Sequence, residues 1–173
     1  VIVGERQADV LLRGLEPVIG AAPRLLILGS FPGEASLAQA RYYAHPRNRF
    51  WPILGALLEE PLFELAYEAR LERLRARCIA LWDVLGACRR EGSLDAAIRD
   101  ARGNNFDALL AAMPSLGAVA FNGATAARAE AAFAARGLAT YRLPSTSPAH
   151  AALSHEAKLA RWAALRTDGW ITP

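Results

Sequence analysis

Three observations along the chain predict an α/β fold of three layers, with helices on both faces of a central, mainly parallel four-stranded sheet. Four short apolar runs recur, longer helix-compatible segments separate them, and 53% of the 173 residues are apolar, enough to cover a sheet on both sides. Strands that alternate with helices specify parallel neighbours joined by right-handed crossovers. The length fits one domain, taken as residues 1–173 with 1–23 as a lead-in.

The elements follow in order. Gly4, Gly14, Pro17, Gly20 and Pro23 punctuate the lead-in, around an apolar-periodic stretch, Ala8–Leu15, that predicts a short helix. Leu25–Leu28 is the first strand and opens into Gly29-Ser30-Phe31-Pro32-Gly33. Phe50–Leu58 and Leu62–Arg77 are helix-compatible, Cys78–Trp82 is the second strand, and Leu94–Met113 reads as helix with breaks. Ala118–Phe121 is the third strand, Ala124–Arg136 an Ala-rich helix, Thr140–Leu143 the fourth strand, and Glu156–Leu165 a closing helix. Ligands of such open sheets bind beyond the carboxyl ends of the strands. The motifs that carry chemistry follow strand ends, so they are expected to converge there.

Charge and cysteine content bound the function. A formal charge of +3 and a pI near 9.2 are compatible with a polyanionic partner. Lys158 is the only lysine among twenty basic side chains. The arginine fork suits phosphate, although genomic base composition explains the same bias. Cys78 and Cys88 form no Cys-x-x-Cys pair and read as buried reduced thiols. His45, His150 and His155 show no helical ligand spacing and no acidic cluster accompanies them, so neither a metal nor another cofactor is expected. No apolar run approaches the ~20 residues that span a bilayer, and the first residues lack a signal-peptide pattern. A cytoplasmic monomer is the expectation.

The first strand and the segment after it look like a catalytic loop. Gly29 and Gly33 permit close backbone approach or positive φ. Tyr42-Tyr43-Ala44-His45-Pro46-Arg47-Asn48-Arg49-Phe50-Trp51 then presents aromatics, a histidine and an asparagine together. The spacing from Pro32-Gly33 to Tyr43-Ala44-His45-Pro46, Asn48 and Phe50-Trp51 resembles the uracil-DNA glycosylase superfamily, particularly its mismatch-specific branch. With Leu81-Trp82-Asp83-Val84-Leu85 and Leu143-Pro144-Ser145-Thr146-Ser147-Pro148, the Gly-Ser-Phe-Pro-Gly variant of the first motif is similar to the hypoxanthine-DNA glycosylase family of that superfamily. The resemblance covers roughly residues 24–165 and implies a glycosylase-like α/β/α fold, action on DNA containing a deaminated base at the nucleoid, and hydrolysis of the N-glycosidic bond. Two cysteines cannot supply the four-thiolate iron–sulfur cluster of other branches. One lysine, distant from the first loop, favours a monofunctional mechanism over a Schiff-base lyase.

The resemblance also implies roles. Tyr43 stands where the related enzymes stack an aromatic on the extruded base. Phe31 replaces their water-activating Asn and lacks any hydrogen-bonding atom. Asn48 is the candidate for the displaced role; it also precedes Arg49-Phe50-Trp51, where Asn is a favoured helix cap, and both roles can coexist. His45 either assists or fixes the turn before the helix. Asp83 falls where relatives read the base; ionised, it would accept from hypoxanthine N1–H and repel adenine N1, and its structural alternative is a helix cap or a partner of Arg89 or Arg90. Ser145 replaces the His or Asn that stabilises charge on the departing base, Ser147 matches a phosphate-contacting serine, and Ala149 replaces a leucine wedge. Ser30 and Gly33 offer backbone to base and phosphate, beside Ser147, Pro148, Ala149 and His150. A damaged-DNA binding module that lost catalysis with the motif-one Asn is the rival reading, followed by a domain acting on free nucleotides.

Overall fold

The computed structural model describes residues 10–173. In chain order the elements are β1 (Leu12–Arg13), β2 (Leu25–Gly29), α1 (Glu34–Gln39), α2 (Phe50–Leu58), α3 (Tyr67–Ala76), β3 (Ile79–Asp83), β4 (Leu85–Arg89) and β5 (Arg99–Gly103), followed by α4 (Phe106–Ala111), β6 (Ala118–Asn122), α5 (Glu130–Ala134), β7 (Ala139–Leu143), α6 (His155–Trp162) and α7 (Ala164–Thr167). Four strands form a parallel sheet in the order β3-β2-β6-β7, and β1, β4 and β5 form a smaller antiparallel sheet in the order β1-β4-β5.

Continuous apolar composition explains the central strands. Every residue of β2 and β6 is buried, which requires cover on both faces. Alternation along β2 then divides the core: Leu25 and Ile27 pack with Phe50, Trp51, Leu54, Leu74 and Trp162, whereas Leu26 and Leu28 pack with Leu109, Met113, Ala127 and Phe133. Helices α2, α3 and α6 thus cover one face, and α4 and α5 the other. In-register pairing brings Gly29 level with Asp83 and Asn122 level with Leu143. All four carboxyl ends therefore open on one side.

The structure departs from the sequence expectations outside the parallel sheet. Of the helix expected over Ala8–Leu15, residues 8 and 9 lie outside the described residues, and Leu12–Arg13 is a strand paired with Cys88 and Ala87. A stretch of this length is too short to hold an isolated helix in water, and the edge of β4 supplies ladder partners instead, including Gly86 O for the Gly14 N–H at 2.8 Å. The Leu94–Met113 stretch is helical only at the 3₁₀ turn Asp95–Ala97 and at α4; β5 lies between them, fully exposed and paired with β4. Leu62–Arg77 is broken at Leu65–Ala66, with a 3₁₀ turn over Leu62–Glu64 and α3 after it. Ala124–Arg136 similarly resolves into a 3₁₀ turn, Ala126–Ala129, and α5.

Candidate active site

A cavity of about 310 Å³ lies beyond the carboxyl ends of the parallel strands, inside the ~300–1,000 Å³ range of small-molecule pockets. Its lining includes Gly29–Gly33 after β2, Asp83 at the end of β3, Asn122–Thr125 after β6 and Ser145–His150 after β7, joined by Tyr42, Tyr43, His45 and Asn48. The segments that sequence spacing singled out do converge.

The end of β2 determines what the floor can hold. Gly29 faces Asp83 across the last rung of the ladder, and a Cβ at Gly29 would overlap the Asp83 carboxylate and crowd the Tyr43 hydroxyl. Only glycine leaves room for both. Gly33, by contrast, has φ of −67°, and a Cβ there would meet only Ser93, at an ordinary contact distance of 3.4 Å, so positive φ is not the reason for a glycine there.

Asp83 is buried, 4% exposed, and its Oδ2 has no hydrogen-bond partner. Burial, and secondarily the charge of Asp95, raise its pKa from 3.8 to about 7, with Arg90 opposing them. The carboxyl is thus divided between ionised and neutral forms near neutral pH. It pairs with neither arginine considered from sequence: Arg89 bridges to Asp100 at 3.1 Å, and Arg90 Nη2 donates to Pro32 O at 2.5 Å.

Tyr43 sits beside it in left-handed backbone, φ 54°. Its ring stacks on Phe50, centroids 3.8 Å apart and planes 18° from parallel, and its hydroxyl is buried without a partner. Burial and the neighbouring Asp83 charge push the phenol up, so it remains a neutral donor, although Asn122 nearby opposes the shift. Two buried polar ends without partners, lining one cavity, are the signature of a site that awaits polar ligand atoms.

The turn before α2 is built by its own side chains. His45 Nδ1 accepts from Arg47 N at 3.1 Å and its carbonyl accepts from Asn48 N at 2.9 Å. Asn48 Oδ1 accepts from Phe50 N at 2.9 Å, starting α2 from one position before the cap residue, Arg49. A carbonyl oxygen retains a second lone pair and the amide retains its donors, so Asn48 organises the helix while still presenting polar atoms to the cavity. Trp51 Nε1 donates to Tyr42 O at 3.1 Å, and the buried Tyr42 hydroxyl to Glu16 O at 2.8 Å.

The loop after β7 is pinned from below. Thr146 is fully buried and pairs reciprocally with Asn122: Asn122 Nδ2 donates to Thr146 Oγ1 and Thr146 N to Asn122 Oδ1, both at 2.9 Å. Gly123 at φ 102° packs against Ser145, where a side chain would be strained and crowded. Ser145 Oγ accepts from Ser147 N, and Ser147 Oγ from Ala149 N, each at 3.2 Å, so both hydroxyls shape the turn. Lys158 Nζ donates to His150 O at 2.7 Å, which gives the lone lysine an anchoring contact.

A further wall was not apparent from sequence. Ser93, Leu94 and Asp95, between β4 and β5, line the cavity. Ser30 Oγ donates to Asp95 Oδ1 at 2.8 Å and Glu34 N to Ser93 Oγ at 2.9 Å. Arg90 behind them is almost fully buried, its guanidinium 5.2 Å from the centre of the Phe31 ring and its Nε and Nη1 without partners. Phe31 lines the cavity but is 6% exposed, clamped between this arginine and Gly14. Asn104 Nδ2 holds the Asp83 carbonyl at 2.8 Å. Both cysteines are free, and among the described residues no three His, Cys, Asp or Glu side chains gather as a metal set.

The family model described as the Uracil DNA glycosylase superfamily matches residues 16–166. This chain belongs to that superfamily. A relative from Methanosarcina barkeri named Hypoxanthine DNA glycosylase is 41% identical over 138 residues, covering 80% of this chain and 87% of the relative. One of the same name from Methanosarcina acetivorans is 38% identical over 141 residues, covering 82% and 89% respectively. The solution NMR structure of a Methanosarcina acetivorans protein, described as a candidate uracil DNA glycosylase, superposes with a TM-score of 0.82 at 36% identity, over 90% of this chain and 96% of that one. The glycosylase fold expected from the motifs is the fold observed.

Proposed function

We propose that this chain is a monofunctional DNA glycosylase that hydrolyses the N-glycosidic bond of a deaminated base, hypoxanthine first and uracil second, and leaves an abasic site. The observation that carries this reading is the partnerless Asp83 carboxyl in a glycosylase-superfamily cavity, opposite a glycine that makes room for it. The names of the two Methanosarcina relatives support the choice of base.

The chemistry needs an extruded nucleotide, a pocket for the base and an oriented water. Tyr43, backed by Phe50, offers its other ring face to the base. Ionised Asp83 accepts from hypoxanthine N1–H and repels the adenine N1 lone pair. Asn48 orients the water through its remaining lone pair and amide donors. The water oxygen bonds to C1′ as the bond to the base nitrogen breaks; that electron pair departs with the base, and the proton that the water gives up neutralises the departing base anion. Ser145 and His45, both lining the cavity, stabilise the departing base. Ser30 and Gly33 contribute backbone, and Ser147, Pro148, Ala149 and His150 meet the flanking phosphates beside exposed Arg47 and Arg49. The protein acts as a monomer on DNA, at the cytoplasmic nucleoid. Phe31, with no polar atom where relatives hold water, is the one observation favouring a lesion-binding module without catalysis.

The test is base release from duplexes and single strands carrying hypoxanthine, uracil or xanthine, followed by alkali to cut at abasic sites. Hypoxanthine release is the expected result. Tight lesion binding without release would establish the binding module instead, and action on free nucleosides alone would overturn both.

A further inference from the structure

We propose that Leu94 is the apolar wedge that enters the duplex and fills the stack vacated by the extruded nucleotide. The inference rests on the glycosylase reading, because only a nucleotide taken out of the helix leaves such a gap.

Among the described residues three large apolar side chains stand exposed, Val10, Phe63 and Leu94, and Leu94 is the most exposed of them at 58%. It alone of the three lines the cavity. A leucine both in water and at the mouth of a nucleotide-sized cavity has the property required of a wedge: its burial is deferred until DNA arrives. In the loop after β7 the residue at the position that matches the related enzymes' leucine is too short for this part. Ser147, Pro148, Ala149 and His150 line the same mouth, and Ala149, where the related enzymes carry leucine, ends at Cβ.

The backbone under Leu94 is held in place. Ser93 Oγ accepts from Glu34 N at 2.9 Å, Asp95 Oδ1 accepts from Ser30 Oγ at 2.8 Å, and Leu94 O accepts from Ala97 N at 3.1 Å. Two of these bonds run to Ser30 in the loop after β2 and to Glu34 at the start of α1, so the wedge and the floor of the cavity are set in one frame. An apolar side chain on a fixed backbone loses little further freedom when it inserts, which preserves the gain from its burial.

The experiment uses a duplex with a tetrahydrofuran abasic analogue opposite 2-aminopurine, whose fluorescence reports stacking around the gap, and the matching single strand. Wild type, Leu94→Ala and Leu94→Phe are compared. Leu94→Ala should bind the duplex about ten- to a hundredfold more weakly and lose the fluorescence change, with a much smaller loss on the single strand. Leu94→Phe should retain both duplex signals. Equal duplex binding and fluorescence for wild type and Leu94→Ala would overturn the proposal; so would equal losses on duplex and single strand, which mark a cover over the pocket. Failure of the glycosylase reading is separable. A wild type that releases no base from either strand, yet shows the Leu94-dependent fluorescence change, would keep the wedge and refute catalysis.

Discussion

Replacing Asp83 by Asn should stabilise the folded protein at pH 8 while damaging its choice of base. Carried from 3.8 to about 7 by burial, the carboxyl penalises the folded state once it ionises. The full penalty is about 4 kcal/mol. Between those pH values the folded chain retains a proton that the unfolded chain has lost, so stability falls as pH rises, and the loss is complete above pH 7. Asparagine removes the charge but places a donor in the position of the partnerless Oδ2, at a cost of about 1–3 kcal/mol. The net gain at pH 8 is therefore about 1–3 kcal/mol. Near pH 4.5 most of the charge penalty is gone and the variant should be no more stable than wild type. Urea unfolding at the two pH values measures both. If Asp83→Asn is the less stable protein at pH 8 by as much as at pH 4.5, the carboxyl carries no buried-charge penalty and the assignment of a strained, waiting acid is wrong. In the same variant, single-turnover excision of hypoxanthine should fall by about ten- to a hundredfold, with adenine less strongly rejected.

In wild type, discrimination of hypoxanthine over adenine should sharpen as pH rises through about 7, because neutral Asp83 can also donate to adenine N1; a ratio flat from pH 6 to 8.5 would contradict this. Asn48→Ala should cut single-turnover excision strongly while lesion-DNA binding persists, with ~0.5–2 kcal/mol lost in thermal unfolding from the missing bond to Phe50 N; full activity in a destabilised variant would confine Asn48 to structure. Asn122→Ala strips Thr146 of two buried partners and should cost about 2–4 kcal/mol in urea unfolding, with faster proteolysis between residues 147 and 154. Excision should survive chelation, and borohydride should trap no protein–DNA adduct at Lys158, whose Nζ is engaged by His150 O; an adduct lost in Lys158→Ala would overturn hydrolysis.

The parallel sheet was legible because its two inner strands, β2 and β6, are buried on both faces, which leaves apolar runs that no amphipathic helix imitates. The antiparallel sheet was not. β5, Arg-Asp-Ala-Arg-Gly, is wholly exposed, and its membership rests on backbone pairing with β4, which carries no hydrophobic signal. The site divides the same way. Tyr43, Asn48, Asp83 and Ser145–His150 follow strands or open a helix, where position narrows their place. Asp95 reaches Ser30 across 65 positions through one side-chain bond, and Arg90 is buried by tertiary packing against Phe31. Long-range polar pairs leave no periodic trace. The Asn122-Gly123 pair at a strand end was visible, and the burial that makes Asn122 a brace for Thr146 was not.

The last rung between β2 and β3 also constrains how this chain can drift in sequence. Position 29 can acquire a side chain only after position 83 has given up its carboxylate, since the two compete for one volume. Either residue altered alone gives a crowded site or an unoccupied one, so the viable mutational path runs through the loss of the acid first. Across descendants of this chain the two positions should change as a pair, and an alanine at 29 should mark a lineage that has abandoned the acid and, with it, the ancestral base.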